Sequence, residues 1–383
     1  MRGGRVHIGL MGLIGLMALI SCSVNEAGMD TVPETGREPI TMSAYVAQTP
    51  KDTRAGDEKR IPDGGKIGVY AYYHENSTWA DDLAADKAIP NFMFNQPVTY
   101  HAEENSFTYS PLKYWPNSPE DKLTFIGYYP YCDGSEEQIK ALGITPLLEN
   151  NQSGLPTFKF EVKENPEDQV DLLISDLLAD QTKPSINGYS KINLYCRHAT
   201  PKVRFHITVT DELRKDLASL KVKSLTISNI DTIATYTASE TEGVIEHDNI
   251  GDSSKEFTIV DASSDVSHLG DIYLMLPQVL NNTATLAITY EVTFRSYRTT
   301  YKYNTSTGKW EEMETYSYTR TAEMTMNEMK TKEGVKLTEW EPNKQYIYTI
   351  RVDAEEIGFT GYMVEWGDEE VWNDLNVDEI VVP

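Results

Sequence analysis

The chain has 383 residues, with 59 acidic side chains against 34 basic ones and a formal net charge of −25. A surface that acidic repels phosphates, and no basic patch interleaved with aromatics stands out, so nucleic acid is set aside as a partner. The length allows two domains of ordinary size, each able to bury its own core.

In chain order, Arg2 and Arg5 form a short positive region, and the uncharged apolar run 6–20 follows. That run is too short to cross ~30 Å of hydrocarbon as a stable helix, and it fits the apolar region of a secretory signal. It ends in Leu19-Ile20-Ser21-Cys22, which resembles the bacterial lipobox, where the Cys is diacylated on sulfur and becomes the new N-terminus after cleavage. The bland alternative is an ordinary signal that happens to hold a Cys. The expectation is a signal peptide over 1–21, acylation at Cys22 and a polar tether over 22–36 carrying Gly28, Pro33 and Gly36. Cys132 and Cys196 then remain, and two unpaired thiols are preferred to one disulfide.

Beyond residue 37 the pattern reads as strands. Runs 66–73, 123–129, 202–209, 285–295 and 346–352 are rich in β-branched and aromatic residues, and many alternate with polar ones, as half-buried strands do. Asp63-Gly64-Gly65, Trp115-Pro116-Asn117, Asp133-Gly134, Asn187-Gly188 and Thr307-Gly308 supply turn chemistry between them. Short helices are expected at Glu136–Leu142 and Asp211–Leu217, the second capped by Thr210 or Asp211. The polar, turn-rich run 180–190 divides the chain into an N-terminal sandwich, 37–190, and a C-terminal sandwich, 191–383. The fold class is therefore all-β, two β-sandwiches in tandem after the signal.

Little in the sequence speaks for catalysis, and no catalytic residue, cofactor or metal is assigned. The seven histidines are scattered, with no His-Glu-x-x-His helix and no Cys-x-x-Cys pair. His198 and His206 are close enough in sequence to share one strand face. No Gly-x-Ser-x-Gly elbow or P-loop occurs. Acidic pairs such as Asp81-Asp82 and Glu355-Glu356 read as solvated faces. The 23 Tyr and 6 Trp are more informative, since such side chains serve interfaces and sugar platforms as well as cores.

Several stretches, taken in order, resemble the fimbrillins of the Bacteroidales. They are Thr53-Arg54-Ala55, Gly65 to Tyr72, Pro90 to Val98, Tyr109 to Asn117, Asp121 to Tyr131, Asp171 to Asp176, Arg197 to Phe205, and Pro342 to Ile350 with Trp366. The resemblance implies two transthyretin-like sandwich domains and a subunit of a type V pilus, or fimbria. It implies export to the outer membrane and cell surface as a lipoprotein, with an arginine-specific protease then removing the lipid tether and the first strand. A strand from a neighbouring subunit would fill the groove so opened.

On these residues, the removable strand is 39–46, with Ile40, Met42, Ala44 and Val46 on one face, and the cut falls between Arg54 and Ala55. Arg37 and Arg60 also precede the first confident strand, so the cut is not unique; Arg54 is preferred for its polar surroundings. The tail 375–383, with Leu375, Val377, Ile380 and Val382, is either the donor strand or the last strand of its own domain. Asp231-Thr232-Ile233 resembles a short O-glycosylation motif of these bacteria. The expected partners are other pilus subunits, outer-membrane lipid through acylated Cys22 before processing, and a host or bacterial surface ligand. The competing readings are a monomeric glycan-binding surface lipoprotein that keeps its lipid and first strand, and a secreted hydrolase.

Overall fold

In the computed structural model, described for residues 38–46, 61–104, 106–183, 191–241, 244–249, 256–263, 266–353 and 357–367, β-strands dominate and helices are few and short. In the first half, β1 (Thr41–Val46), β2 (Lys66–His74) and α1 (Trp79–Ala84) are followed by β3 (Met93–His101), β4 (Ser106–Thr108) and β5 (Lys122–Tyr129). Then come α2 (Glu136–Leu142), β6 (Ile144–Pro146), β7 (Thr157–Glu161), β8 (Leu173–Ser175), β9 (Leu178–Gln181) and β10 (Lys191–His198). Eight of these strands form one sheet in the order β1-β10-β8-β5-β2-β3-β4, with β9 also on β5.

Period-two alternation gives that sheet two apolar faces. Along β2, Ile67, Val69 and Ala71 enter one buried cluster, while Tyr70 and Tyr72 enter the other. β5 does likewise, with Leu123 and Phe125 on the first face and Ile126 and Tyr128 on the second. On the second face Tyr128 packs on Phe158 of β7, ring centres 4.4 Å apart, which holds a further sheet against this one. Gly68 is required here, because a Cβ on it would run into the Tyr128 ring.

The second half contains β11 (Lys202–Val209), α3 (Asp211–Asp216), β12 (Leu217–Ser228), β13 (Ile233–Ala238), β14 (Ile245–Asn249), β15 (Glu256–Asp261) and β16 (Val266–Ser267). It continues with β17 (Tyr273–Leu274), β18 (Gln278–Val279), β19 (Thr285–Asn304), β20 (Lys309–Thr325), β21 (Glu339–Trp340), β22 (Lys344–Val352) and β23 (Ile357–Glu365). The sheets run β17-β11-β22-β23, β16-β15-β12-β19-β20, β14-β13-β7-β6 and β18-β21. Val203, Phe205, Tyr346, Tyr348 and Ile350 join Leu225, Ile227, Leu286 and Ile288 in one core.

Both expected helices are present. Ser135 caps α2 and Thr210 caps α3, each side chain accepting a hydrogen bond from a first-turn N–H. α1, capped by Thr78, went unread because its short sequence carries no apolar period.

Three sequence expectations need amending. β10 pairs with β1 and β8, so the strand assigned to the second half completes the first sheet. β13 pairs antiparallel with β7, so the two halves also share a sheet. A polar run marks a break in the chain but does not encode which edge the next strand joins. His198 lies on β10 and His206 on β11, in different sheets. Cys132 and Cys196 are both free, and both are fully buried.

Candidate functional site

The site begins with β8 and β10. Arg197 on β10 makes a bidentate pair with Asp176, Nε to Oδ1 at 3.0 Å and a terminal nitrogen to Oδ2 at 2.9 Å. His198 Nδ1 meets Asp171 Oδ1 at 2.8 Å, and its ring stacks on Trp366 at 3.9 Å. Ser175 Oγ accepts from the Gly127 N–H at 2.8 Å. These contacts fix β10 against the sheet, and Gly127 leaves room for Leu194, whose Cδ1 would lie 2.9 Å from an added Cβ.

β1 lies on β10 in parallel register, Met42 opposite Ile192, Ala44 opposite Leu194 and Val46 opposite Cys196. The other pairings described within this sheet are antiparallel. Ile40, Met42, Ala44 and Val46 are 0%, 1%, 8% and 4% exposed, and they pack with Ile192, Leu194, Phe125 and Trp115. On the outer face Ser43 Oγ donates to Asn193 Oδ1 at 2.5 Å, and Tyr45 stacks on Tyr195.

The strand is also gripped on its other side. The Ile40 N–H donates to the Lys113 carbonyl at 2.9 Å, and the Trp115 N–H donates to the Glu38 carbonyl at 3.1 Å. Tyr109 Oη donates to the Ile40 carbonyl at 2.8 Å. Burial pushes the Tyr109 phenol up to about 12 and the Cys196 thiol up to about 12. β1 thus joins β10 to the segment after β4, and its apolar face completes the core between them.

Cys22, Arg54, Ala55, and the tail residues Leu375, Val377, Ile380 and Val382 lie outside the described residues. So do Arg37 and Arg60. The described chain leaves β1 at Val46 and resumes at Ile61, so the segment joining them contains Arg54 and Arg60.

One constellation with a catalytic outline was not singled out in the sequence. His74 Nδ1 meets Asp82 Oδ2 at 2.6 Å, and its Nε2 meets Thr124 Oγ1 at 2.9 Å. Thr124 is fully buried, His74 is 1% exposed, and Thr124 Oγ1 also accepts from the Asp180 N–H at 3.1 Å. A hydroxyl so enclosed has no path to a substrate; the group ties α1 and β9 to the sheet. Among the described residues no cluster of three or more His, Cys, Asp or Glu side chains is arranged to hold a metal, and no helix is long and apolar enough to cross a membrane.

Sheets packed through shared apolar faces, with β1 on the edge of the first, define the class: an all-β sandwich protein. The chain belongs to the fimbrillin-like family, whose sequence profile matches residues 53–366. Among solved structures, it is similar to a fimbrial protein from Bacteroides vulgatus, 19% identical, covering 86% of this chain and 100% of that one at a TM-score of 0.56. It is also similar to a candidate cell adhesion protein from Bacteroides uniformis, 18% identical, covering 88% of this chain and 100% of that one at a TM-score of 0.51. At such identities the likeness shows the fold. No curated protein matches the sequence.

Proposed function

We propose that this protein is a subunit of a surface pilus, exported on a lipid at Cys22, cut after Arg54 and joined to its neighbours by exchange of β1. Membership of the fimbrillin-like family supports the pilus role, and the solved neighbours described as fimbrial or adhesive agree with it. The finer reading rests on one observation. β1 is a core-completing strand whose covalent link to the rest of the fold runs through the stretch that carries the candidate arginines.

A cut at Arg54 would leave β1 held by non-covalent contacts alone. Burial of Ile40, Met42 and Val46 is worth roughly 1.5–3 kcal/mol each, so cutting by itself does not release the strand. A competitor must offer comparable apolar side chains at period two, and backbone groups for β10. Parallel pairing, slightly less stable per residue than antiparallel, favours such replacement. The division proposed with this role, 37–190 and 191–383, is one of position along the chain, with the exchangeable strand in the first part and the candidate donor tail, 375–383, in the second; β10 and β13 pair across it.

The test is to treat the purified, lipid-free precursor with an arginine-specific protease and look for SDS-resistant ladders. Ladders are expected from the native chain, and neither from Arg54→Ala nor from a chain lacking residues 375–383. A trimmed native chain that stays monomeric would overturn the reading, as would ladders that persist in Arg54→Ala.

A further inference from the structure

The inner row of β1 does not by itself fix where a strand sits. Ile40, Met42, Ala44 and Val46 are all apolar, and β10 meets the last three with Ile192, Leu194 and Cys196. A strand that slides by two residues keeps its apolar side chains inward. Apolar burial has no direction, so it separates two such registers only weakly.

The outward row differs, because each of its pairs has its own chemistry. Thr41 stands opposite Lys191, Ser43 opposite Asn193 and Tyr45 opposite Tyr195. Ser43 is 5% exposed and donates to Asn193 Oδ1. The Tyr45 and Tyr195 rings lie 5.6 Å apart and nearly parallel, at 23°, and Tyr195 is still 52% exposed with β1 in place. A slide by two residues would set Tyr45 or Thr41 opposite Asn193, and Ala47 or Ser43 opposite Tyr195. Either slide loses both the hydrogen bond and the ring stack.

We infer that Asn193 and Tyr195 are the residues by which β10 selects its partner strand and sets the register. The strand they take carries a small hydrogen-bonding side chain opposite Asn193 and a large one, two residues on, over the Tyr195 ring. The tail of a neighbouring subunit meets this rule in one parallel register that keeps its apolar residues inward. With Asp378 opposite Asn193, Ile380 falls on Tyr195, and Leu375, Val377 and Val381 take the places of Ile40, Met42 and Val46. The Asn193 amide, turned over, then donates to the carboxylate. Sliding the tail one way sets that carboxylate on the electron-rich face of Tyr195. Sliding it the other way sets Ile380 against Asn193 and leaves the amide without a partner. The inference rests on the proposed exchange of β1, and it adds how the exchanged strand is chosen.

The test uses the lipid-free chain cut at Arg54, with native mass spectrometry reading loss of the resident fragment and capture of a synthetic strand. The peptides are residues 38–47, residues 373–383, and a swapped form of each that leaves the inner row untouched. The swaps are Ser43→Tyr with Tyr45→Ser, and Asp378→Ile with Ile380→Asp. Each native peptide is expected to be captured roughly tenfold more tightly than its swapped form. In a chain carrying Asn193→Ala and Tyr195→Ala the preference should shrink to about twofold or less, with an unchanged circular dichroism spectrum. Tyr195→Phe keeps the ring and should keep the preference. Equal capture of native and swapped peptides would overturn the inference, as would a preference that survives in the folded double variant. Failure of both native peptides to displace the fragment would overturn the exchange of β1 itself, and the inference with it. Capture of 38–47 but not of 373–383 would overturn the register given to the tail while leaving exchange intact.

Discussion

Tyr109 holds the entry of β1 through one hydroxyl, which donates to the Ile40 carbonyl. Tyr109→Phe should weaken retention of the cut fragment by about 0.5–1.5 kcal/mol, read as faster loss on size exclusion after protease treatment. The phenol also sets a pH dependence. Its ordinary value is 10.0 and the folded chain raises it to about 12, while the Cys196 thiol goes from 9.0 to about 12. The folded state therefore holds these protons more tightly than the unfolded chain. The associated stability is complete below the ordinary values and is lost as pH climbs through the raised ones. Fragment release from cut chain should rise between about pH 9 and 12, and Tyr109→Phe should flatten the upper part of that rise; an identical alkaline curve in the variant would refute the role. Gly68→Ala presses a Cβ into the Tyr128 ring, whose hydroxyl is anchored to Asn95 and to the Cys132 backbone, and should cost about 1–3 kcal/mol in urea unfolding. The alternation of Ile40, Met42, Ala44 and Val46 was legible in the sequence, because period two needs no partner to be seen. The hydroxyl of Tyr109 was not, since its acceptor lies 69 residues away.

At the scale of elements, β1 and the tail are not equal matches. As a strand, the tail divides its apolar residues between faces, with Leu375, Val377 and Val381 on one and Ile380 and Val382 on the other. The first set is interrupted by Glu379, where β1 offers an unbroken apolar row. If the tail is the donor, Glu379→Val should raise the yield of SDS-resistant ladders; an unchanged yield would mean that the donor lies elsewhere. The strands β2, β5, β11 and β22 and the helices α2 and α3 were readable from periodicity and caps, both local signals. The parallel partnership of β1 with β10 was not, because strand pairing depends on contacts distant in sequence. The β19–β20 pair was half read: the apolar alternation of β19 ends near Arg295, so the expected strand ended there, while the polar and aromatic extension runs on to Asn304.

At the scale of the whole molecule, the acid excess sets the conditions for assembly. Subunits of net charge −25 repel one another at low ionic strength, and salt screens that repulsion over about 10 Å at 0.1 M. Ladder formation after cutting should therefore accelerate as salt is raised, followed as ladder yield against time at several salt concentrations; a rate that falls with salt would contradict this. The all-β class was legible from composition and turn spacing. The sharing of a sheet between the halves, through β7 and β13, was not, because nothing local in either strand names its partner.

The central claim is that β1 can leave its groove, and Cys196 reports on it directly. That thiol lies opposite Val46 and is 1% exposed, whereas Cys132 is buried in the other cluster and donates its S–H to the Ile144 carbonyl. Mass spectrometry of thiol labelling should find neither cysteine modified in the intact chain. After cutting at Arg54 with a competing strand peptide present, Cys196 should be labelled as the fragment ending at Arg54 departs, with Cys132 still protected. Departure of that fragment without labelling of Cys196, or simultaneous labelling of both cysteines, would contradict the account.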